Sequence, residues 1–320
     1  MTTMRAMAID APGGPEAFRQ TDVPRPVPVN AELLVRVVAA GINPIDAETR
    51  SGAGVSQAIE HWPAVLGFDF SGVVVQSPYE SHPLQPGTEV FGVTTVPRCG
   101  GSYAEYVVVP ALSVVRKPPR LSHVQAAAVP FAALTAWGLV VDLARAHDGQ
   151  RMLVHGASGG VGHFAVQFAT YFGSRVTATT STRNVEWVES LGAIEVIDYT
   201  AERFEDVVSE VDVVIDLIGN VHEDTGTRSL PVLRRGGLIV NAPTGSWPTF
   251  LEEAAERGVR ATTYQVAPDG AALSVIARLL ESGDVRVHVD EVLPLCRAAE
   301  AHLLLERGHT RGKIVLVADA

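Results

Sequence analysis

The sequence predicts an α/β protein that combines a β-rich, barrel-like domain with a doubly wound parallel sheet. Up to about Arg120, short valine-rich runs such as LLVRVVAAG and YAEYVVVP are separated by proline and glycine clusters, which is typical of short strands and turns. From Arg151 onwards, apolar strand patterns alternate with helical ones, which predicts parallel strands joined by right-handed crossovers. A length of 320 residues is sufficient for two domains with cores of their own.

The elements after Arg151 can be assigned in order. The predicted strands are RMLVHGA, RVTATTS, EVIDY, VDVVIDLIG and GGLIVNA. Near Ala271 the pattern AALSVIARLLESG predicts a helix that ends at a glycine, and GKIVLVA predicts a last strand. We therefore expect a β-rich domain over residues 1–122 and 266–320, to which the tail returns, and a nucleotide-type domain over 123–265.

Composition and charge exclude several classes of function. Hydrophobic residues make up 47% of the chain and the net charge is −11 without a basic run, so nucleic acid and anionic membranes are poor partners. The run from Val124 is interrupted by polar residues and predicts buried helical turns, and MTTMRAMAID lacks the apolar core of a signal peptide. Two cysteines, Cys99 and Cys296, cannot build a disulfide framework, and Cys99 is expected to be an inert loop thiol. A cytoplasmic location is the resulting expectation.

The stretch HGASGGVG predicts a dinucleotide-binding loop. It follows an apolar strand and precedes VGHFAVQFATYFG, interpreted as an amphipathic helix from about Gly160, so it has the context of a Rossmann βαβ unit. Small residues allow the tight turn, the close approach of a phosphate and the packing of helix on strand, while the helix N-terminus attracts the pyrophosphate. The candidate binding residues are Ala157, Ser158, Gly159, Gly160, Val161 and Gly162.

The next strand end favours NADPH over NADH. An NAD enzyme usually places an acid there to hold the ribose diol, whereas this chain has TATTSTRN. The hydroxyls of Thr180 and Ser181 and the guanidinium of Arg183 suit a 2′-phosphate. The alternative for Arg183 is a solvated residue at the start of the next helix.

Several motifs in order along the chain resemble the medium-chain dehydrogenase/reductase superfamily, in its zinc-free, quinone oxidoreductase-like (ζ-crystallin-related) branch. They are GINPIDAETRSG, VLGFDFSGVV, GGSYAEYVVVP, LTAW, ASGGVG and GHTRGKIVLV. The resemblance runs through almost the whole chain. It implies a GroES-like catalytic domain and a Rossmann domain, with the active site in the cleft between them.

The resemblance also implies roles for single residues. Asn43 resembles the residue beside the nicotinamide ribose, and Thr135 resembles the residue facing the nicotinamide ring. The alternatives are a turn residue before Pro44 and a helix hydroxyl bonded to its own backbone. Tyr199 resembles a tyrosine beside the 2′-phosphate, although a half-buried aromatic at a strand end fits it equally well. The further cofactor contacts implied are Ile218, Gly219, Asn241 and Lys313.

No metal is expected. Zinc-dependent members carry a cysteine near Asn43 and Gly-His-Glu where this chain has Gly67, Phe68 and Asp69. Asparagine and phenylalanine supply neither thiolate nor imidazole. Without a Lewis acid, the favoured substrates are electron-poor acceptors, a quinone or an α,β-unsaturated carbonyl compound that takes hydride from NADPH.

The chain departs from its relatives in the cleft motif. Many relatives have a tyrosine where this chain has Glu48, which is either a general acid with a raised pKa or an exposed glutamate. His61 and Trp62 precede PAVLGFD and either line the substrate pocket or lie on the outside of a loop.

The expected protein is therefore an NADPH-dependent, zinc-independent oxidoreductase, by resemblance a homodimer that associates through the Rossmann sheet edge near GGLIVNA. The alternative is a non-catalytic NADPH-binding redox sensor or structural protein of the ζ-crystallin type. A broad detoxifying role and a dedicated biosynthetic one are not distinguished, because substrate choice lies in loops such as 48–62 and 243–265.

Overall fold

The computed structural model describes residues 2–95 and 101–318, so Cys99 lies outside the described residues. Two compact units are present: Met1–Leu134 with Ala267–Ala320, and Thr135–Val266. The boundaries expected from the sequence, 1–122 with 266–320 and 123–265, differ mainly in where residues 123–134 belong. The first unit includes these residues, and the division falls within a helix.

The strands are β1 (Thr3–Ile9), β2 (Arg19–Pro24), β3 (Glu32–Gly41), β4 (Ala64–Val65), β5 (Asp69–Gln76), β6 (Glu89–Val93), β7 (Tyr106–Pro110), β8 (Val114–Arg116), β9 (Arg151–Val154), β10 (Arg175–Thr180), β11 (Glu195–Asp198), β12 (Val211–Asp216), β13 (Leu233–Asn241), β14 (Arg260–Thr263), β15 (Val289–Pro294) and β16 (Lys313–Val317). The α-helices are α1 (Pro44–Ser51), α2 (His123–Ala127), α3 (Pro130–Trp137), α4 (Gly162–Tyr171), α5 (Val185–Glu189), α6 (Phe204–Val207), α7 (Thr225–Ser229), α8 (Phe250–Arg257), α9 (Gly270–Ser282) and α10 (Ala298–Glu306).

The first unit is built around β3, which pairs antiparallel with β5, β7 and β16. The larger sheet follows the order β15-β16-β3-β5-β6-β8, and a second sheet has the order β2-β1-β4. Apolar side chains of β3, β5 and β7 form a core cluster that includes Leu33, Phe70 and Val107. The unit is the GroES-like domain that the motifs imply. Because β16 pairs with β3, the last strand completes the sheet that begins near residue 32.

The second unit is a Rossmann sheet. Its order is β11-β10-β9-β12-β13-β14, and all the pairings are parallel. From β9 the chain first adds strands on one side, β10 and β11, and then on the other, β12 to β14. Doubly wound sheets bind ligands at such a reversal, outside the carboxyl ends of the strands. The five strands predicted in this unit are all present. The edge strand is β14, so GGLIVNA in β13 lies one strand inside the edge that it was expected to approach.

Helix α4 corrects one prediction. The sequence predicts an amphipathic helix, but its residues Gly162–Ala169 are all buried. The end of α3 covers part of it: the ring of Trp137, the last residue of α3, lies edge-on 5.4 Å from that of Phe168. The helix therefore packs within the unit instead of on its surface.

The apolar run from Val124 forms α2, α3 and a π-helical segment, Gly138–Leu143, as the predicted helical turns require. Among the described residues, no helix combines the length and the apolarity needed to cross a bilayer.

Candidate functional site

The glycine loop connects the end of β9 to the start of α4. Gly156 adopts a positive φ of 64°, and a Cβ on Gly162 would lie only 2.2 Å from the carbonyl oxygen of Gly156. Gly162 is therefore required by the packing of helix on turn. A Cβ on Gly159 would meet a single described atom, the Gly156 oxygen at 3.4 Å, which is ordinary contact. Since the protein itself does not require Gly159 to lack a side chain, the loop fits a phosphate that approaches bare backbone.

The other residues of the predicted loop combine a buried anchor with partly exposed positions. Ala157 is buried, whereas Ser158, Gly159, Gly160 and Val161 are partly exposed. The Ala157 N–H donates to the carbonyl oxygen of Thr179 at 3.1 Å, which ties the loop to the end of β10.

A buried histidine lies directly beneath this loop. His155 Nδ1 lies 3.0 Å from Thr179 Oγ1, and its Nε2 lies 2.9 Å from Ser229 Oγ. Burial lowers the pKa of His155 to about 4, although the charge of Asp216 opposes the shift. The imidazole is thus a neutral link between β9, β10 and α7. Sequence reasoning did not single it out, and its position between a strand and the glycine loop was the available signal.

The end of β10 contains the residues predicted to hold the 2′-phosphate. Thr180 is buried, and its Oγ1 has no hydrogen-bond partner among the described residues. Tyr199 is exposed, and its N–H donates to the Thr180 carbonyl oxygen at 3.1 Å. Ser181 is partly exposed and Arg183 is exposed. An orphan hydroxyl beside accessible polar side chains fits an anionic ligand.

One acidic residue at this place was missed. Asp198 ends β11 directly across from Thr180. The chain has no acid directly after β10, but parallel strands also bring together residues that are distant in the chain. Asp198 Oδ2 accepts from Thr182 Oγ1 at 2.6 Å, and the pKa of Asp198 is lowered by that bond and by bonds from Thr200.

Two further loops follow β12 and β13. The carboxylate of Asp216 accepts from the N–H groups of Ile218 and Gly219 at 2.9 and 2.8 Å, and from Asn241 Nδ2 at 2.9 Å. Gly219 has a positive φ of 68°. One buried carboxylate thus holds in place three of the residues predicted to contact the cofactor. Since β9, β10, β12 and β13 are parallel, all these loops lie on the same side of the sheet, at the carboxyl ends of its strands.

The first unit contains a buried polar cluster around Asn43. Asn43 precedes α1, and its N–H donates to Asp46 Oδ2 at 2.8 Å in a capping box. Asn43 Nδ2 donates to Asp69 Oδ2 at 2.9 Å, and Phe131 N donates to Asp69 Oδ1 at 2.7 Å. Lys313 Nζ donates to Asn43 Oδ1 and to the Ile42 carbonyl oxygen. The fold therefore joins Asn43 and Lys313, two of the residues singled out by resemblance.

Burial perturbs the charged members of this cluster. It raises the pKa of Asp46 to about 7, opposed by the hydrogen bond from Asn43. It also raises the pKa of Asp69, opposed by the charge of Lys313, and lowers the pKa of Lys313, opposed by Asp69. Such shifts are common at functional sites.

Three of the four remaining candidates, Glu48, His61 and Trp62, lie in the first unit and are exposed, whereas Thr135 is buried. Glu48 lies on α1 as an exposed residue, and partial burial of its carboxyl raises its pKa. His61 and Trp62 are both exposed, in the segment before β4. Thr135, the first residue of the second unit, is buried on α3. The roles of all four stay predictions.

Phe68, at the position where zinc-dependent relatives carry a histidine, packs against another aromatic ring. The ring of Phe68 lies 5.4 Å from that of Phe131, so apolar packing takes the place of an imidazole. Within residues 2–95 and 101–318, no group of three or more histidine, cysteine, aspartate or glutamate residues is placed to hold a metal ion.

Comparisons with known proteins agree with this architecture. Residues 29–119 match the alcohol dehydrogenase GroES-like domain, and residues 191–316 match the zinc-binding dehydrogenase family. The chain is 34% identical to the mouse protein NAD(P)H oxidoreductase RTN4IP1, mitochondrial, over 98% of this chain and 89% of that protein. It is also 34% identical to the NADPH-dependent alkenal/one oxidoreductase, chloroplastic, of Arabidopsis thaliana, over 98% of this chain and 79% of that protein.

A solved structure is similar throughout. The quinone oxidoreductase from Coxiella burnetii superposes with a TM-score of 0.93 at 34% identity, over 99% of this chain and 100% of that one. With similarity across both units and identity above 30% to relatives matched over 79% to 100% of their length, this chain belongs to the medium-chain dehydrogenase/reductase superfamily, among its quinone oxidoreductase and enone reductase members.

Proposed function

We propose that this protein is an NADPH-dependent, zinc-independent reductase of quinones or α,β-unsaturated carbonyl compounds. The observation that carries the proposal is the group of loops at the carboxyl ends of the strands in the second unit. There a glycine loop with a bare-backbone position at Gly159 lies beside the orphan hydroxyl of Thr180 and the exposed Arg183. Relatives named as an NADPH-dependent alkenal/one oxidoreductase and a quinone oxidoreductase support the same reaction class.

The residues of the second unit bind and orient the cofactor in this proposal. The N–H groups of the loop and of the first turn of α4 hold the pyrophosphate, and Thr180, Ser181 and Arg183 hold the 2′-phosphate. Asp216 keeps the loops of Ile218 and Asn241 in place around the riboses. NADPH, when bound, supplies the hydride.

The residues of the first unit serve the acceptor. Hydride addition to a conjugated carbonyl or a quinone develops negative charge on oxygen, and a fixed hydrogen-bond donor stabilises that charge. Asn43 supplies such a donor. Reduction is completed by a proton, for which Glu48 is the candidate because its raised pKa keeps it protonated over a wider pH range.

The test is the initial rate of NADPH oxidation under anaerobic conditions with benzoquinones, naphthoquinones and conjugated enones, with NADH in parallel. We expect turnover of one acceptor class and a preference for NADPH. Arg183→Ala should raise the KM for NADPH about tenfold, because a charge-assisted bond to phosphate is lost. Arg175→Ala, at the opposite end of β10, is the matched control. Tight NADPH binding without turnover of any acceptor would favour the redox sensor or structural protein instead.

The proposal includes a cytoplasmic homodimer. The outer side of the edge strand β14 is where a second copy would extend the sheet, as the family resemblance implies. Light scattering should give twice the mass of one chain, and a monomeric mass would remove the dimer. Because the relatives named above are mitochondrial and chloroplastic, fractionation of the source cells is needed to test the location.

A further inference from the structure

The side-chain amide of Asn43 lies between two opposite charges. Its Oδ1 accepts from Lys313 Nζ, and its Nδ2 donates to Asp69 Oδ2 at 2.9 Å. The ammonium and the carboxylate are themselves 3.4 Å apart. All three residues are almost completely buried, with exposed fractions of 2% for Asn43, 3% for Lys313 and 0% for Asp69.

These charges determine which way the amide faces. Rotation by 180° would place the NH2 group against the ammonium and the oxygen against the carboxylate, so both contacts would become repulsive. Burial strengthens this preference because water does not screen the pair. The observed orientation is therefore imposed on Asn43 by residues 26 and 270 positions away in the sequence.

The ammonium of Lys313 donates all its hydrogen bonds to acceptors within the first unit. Its three hydrogens match three acceptors: the carbonyl oxygen of Ile42 at 2.6 Å, Asn43 Oδ1, and Asp69 Oδ2 at 3.4 Å. An ammonium with three protein acceptors has no hydrogen left for a cofactor phosphate. Asp69 is held in turn by the N–H of Phe131.

We propose that Lys313 and Asp69 are positioning residues that hold the Asn43 amide so that its second Nδ2 hydrogen serves as the donor to the acceptor oxygen. The ammonium on Oδ1 also polarises the amide and makes its N–H groups stronger donors. This rests on the proposed function, and it assigns Lys313 a role different from the cofactor contact implied by resemblance.

A double-mutant cycle tests the proposal. Lys313→Met should lower kcat/KM for the acceptor about tenfold, because a mispositioned donor stabilises the transition state less. The dissociation constant for NADPH should stay within about twofold of wild type, since the residue acts on Asn43 and not on the cofactor. In an Asn43→Ala background, Lys313→Met should cause no further loss.

Asp69→Asn provides a second route if Lys313→Met does not fold, because it keeps the size of the side chain and removes one charge. Its loss of kcat/KM should likewise vanish in the Asn43→Ala background. Ser71→Ala is the control: it removes a buried polar group two residues along β5, a hydroxyl that donates to the Val90 carbonyl oxygen and lies 2.8 Å from His123 Nδ1, and it should leave kcat/KM unchanged. Losses that multiply with Asn43→Ala would overturn the proposal, as would weaker NADPH binding in Lys313→Met.

A readout without turnover separates this proposal from the proposed function. The side-chain amide resonances of Asn43, assigned by their loss in Asn43→Ala, should shift in Lys313→Met and Asp69→Asn but not in Ser71→Ala. These shifts are expected even if no acceptor in the panel is reduced. Unchanged resonances in both variants would overturn the positioning role without contradicting the proposed reductase function.

Discussion

Asp198 faces Thr180 across the pairing of β11 with β10. The carboxylate accepts from Thr182 Oγ1 at 2.6 Å and from Thr200 Oγ1 at 2.7 Å, and these hydrogen bonds keep its pKa below the usual value. It is therefore negatively charged at neutral pH, beside the hydroxyl proposed to meet the 2′-phosphate. The site thus combines donors that favour NADPH with one charge that opposes it.

Asp198→Asn should increase the preference for NADPH. Removal of a partly exposed like charge near the 2′-phosphate should tighten NADPH binding about two- to fivefold, and less so at high salt. NADH, which lacks that phosphate, should bind nearly as before. Fluorescence titrations with both cofactors measure the effect, and Glu195→Gln, at the other end of β11, is the control. Equal gains for the two cofactors would contradict the assignment of the phosphate site.

Two glycines of the loop should respond differently to alanine. Gly162→Ala should lower the free energy of unfolding by about 1–3 kcal/mol, because its Cβ would lie 2.2 Å from a backbone oxygen. Gly159→Ala should keep wild-type thermal stability, because its Cβ has room, yet weaken NADPH binding about tenfold by blocking the phosphate. Thermal melts and titrations of both variants separate these effects. Wild-type NADPH binding by Gly159→Ala would contradict a phosphate at this position.

Stability should depend on pH through His155. Burial lowers its pKa to about 4 in the folded protein, from the ordinary histidine value of about 6.5. The unfolded chain therefore binds more protons between these values, and the free energy of unfolding should fall by about 3 kcal/mol as pH drops from 6.5 to 4. Urea titrations across this range should show a shallower slope in His155→Gln than in wild type; the part contributed by His302, whose pKa burial lowers to about 3, should remain. Replacement of the exposed His222 by Gln should leave the slope unchanged.

The sequence predicted elements with strong local patterns. The strands RMLV and VDVVID consist mostly of apolar residues, and the helix before Gly283 ends at a glycine, so the sequence predicts all three elements. Strand β14 was not predicted, because its sequence RATT is short and mostly polar. The burial of α4 also escaped prediction, since the residues that cover it come from another helix.

The sequence predicts the parts of the site that are contiguous in the chain, but not the contacts between residues on distant strands. The glycine loop is contiguous in sequence, and the hydroxyls of Thr180 and Ser181 follow the next strand. Asp198 and the Lys313–Asn43–Asp69 cluster depend on strands that meet only in the folded sheet. No spacing in the chain indicates that a lysine near the end lies against an asparagine near the beginning.

The pairing of β16 with β3 has a consequence for synthesis on the ribosome. The second unit, Thr135–Val266, is translated in full while the first still lacks its returning strands, so it can fold earlier during elongation. Lys313 emerges afterwards, at the first position of β16. A nascent chain can thus have a finished nucleotide-binding sheet while the charge that orients Asn43 is still inside the exit tunnel.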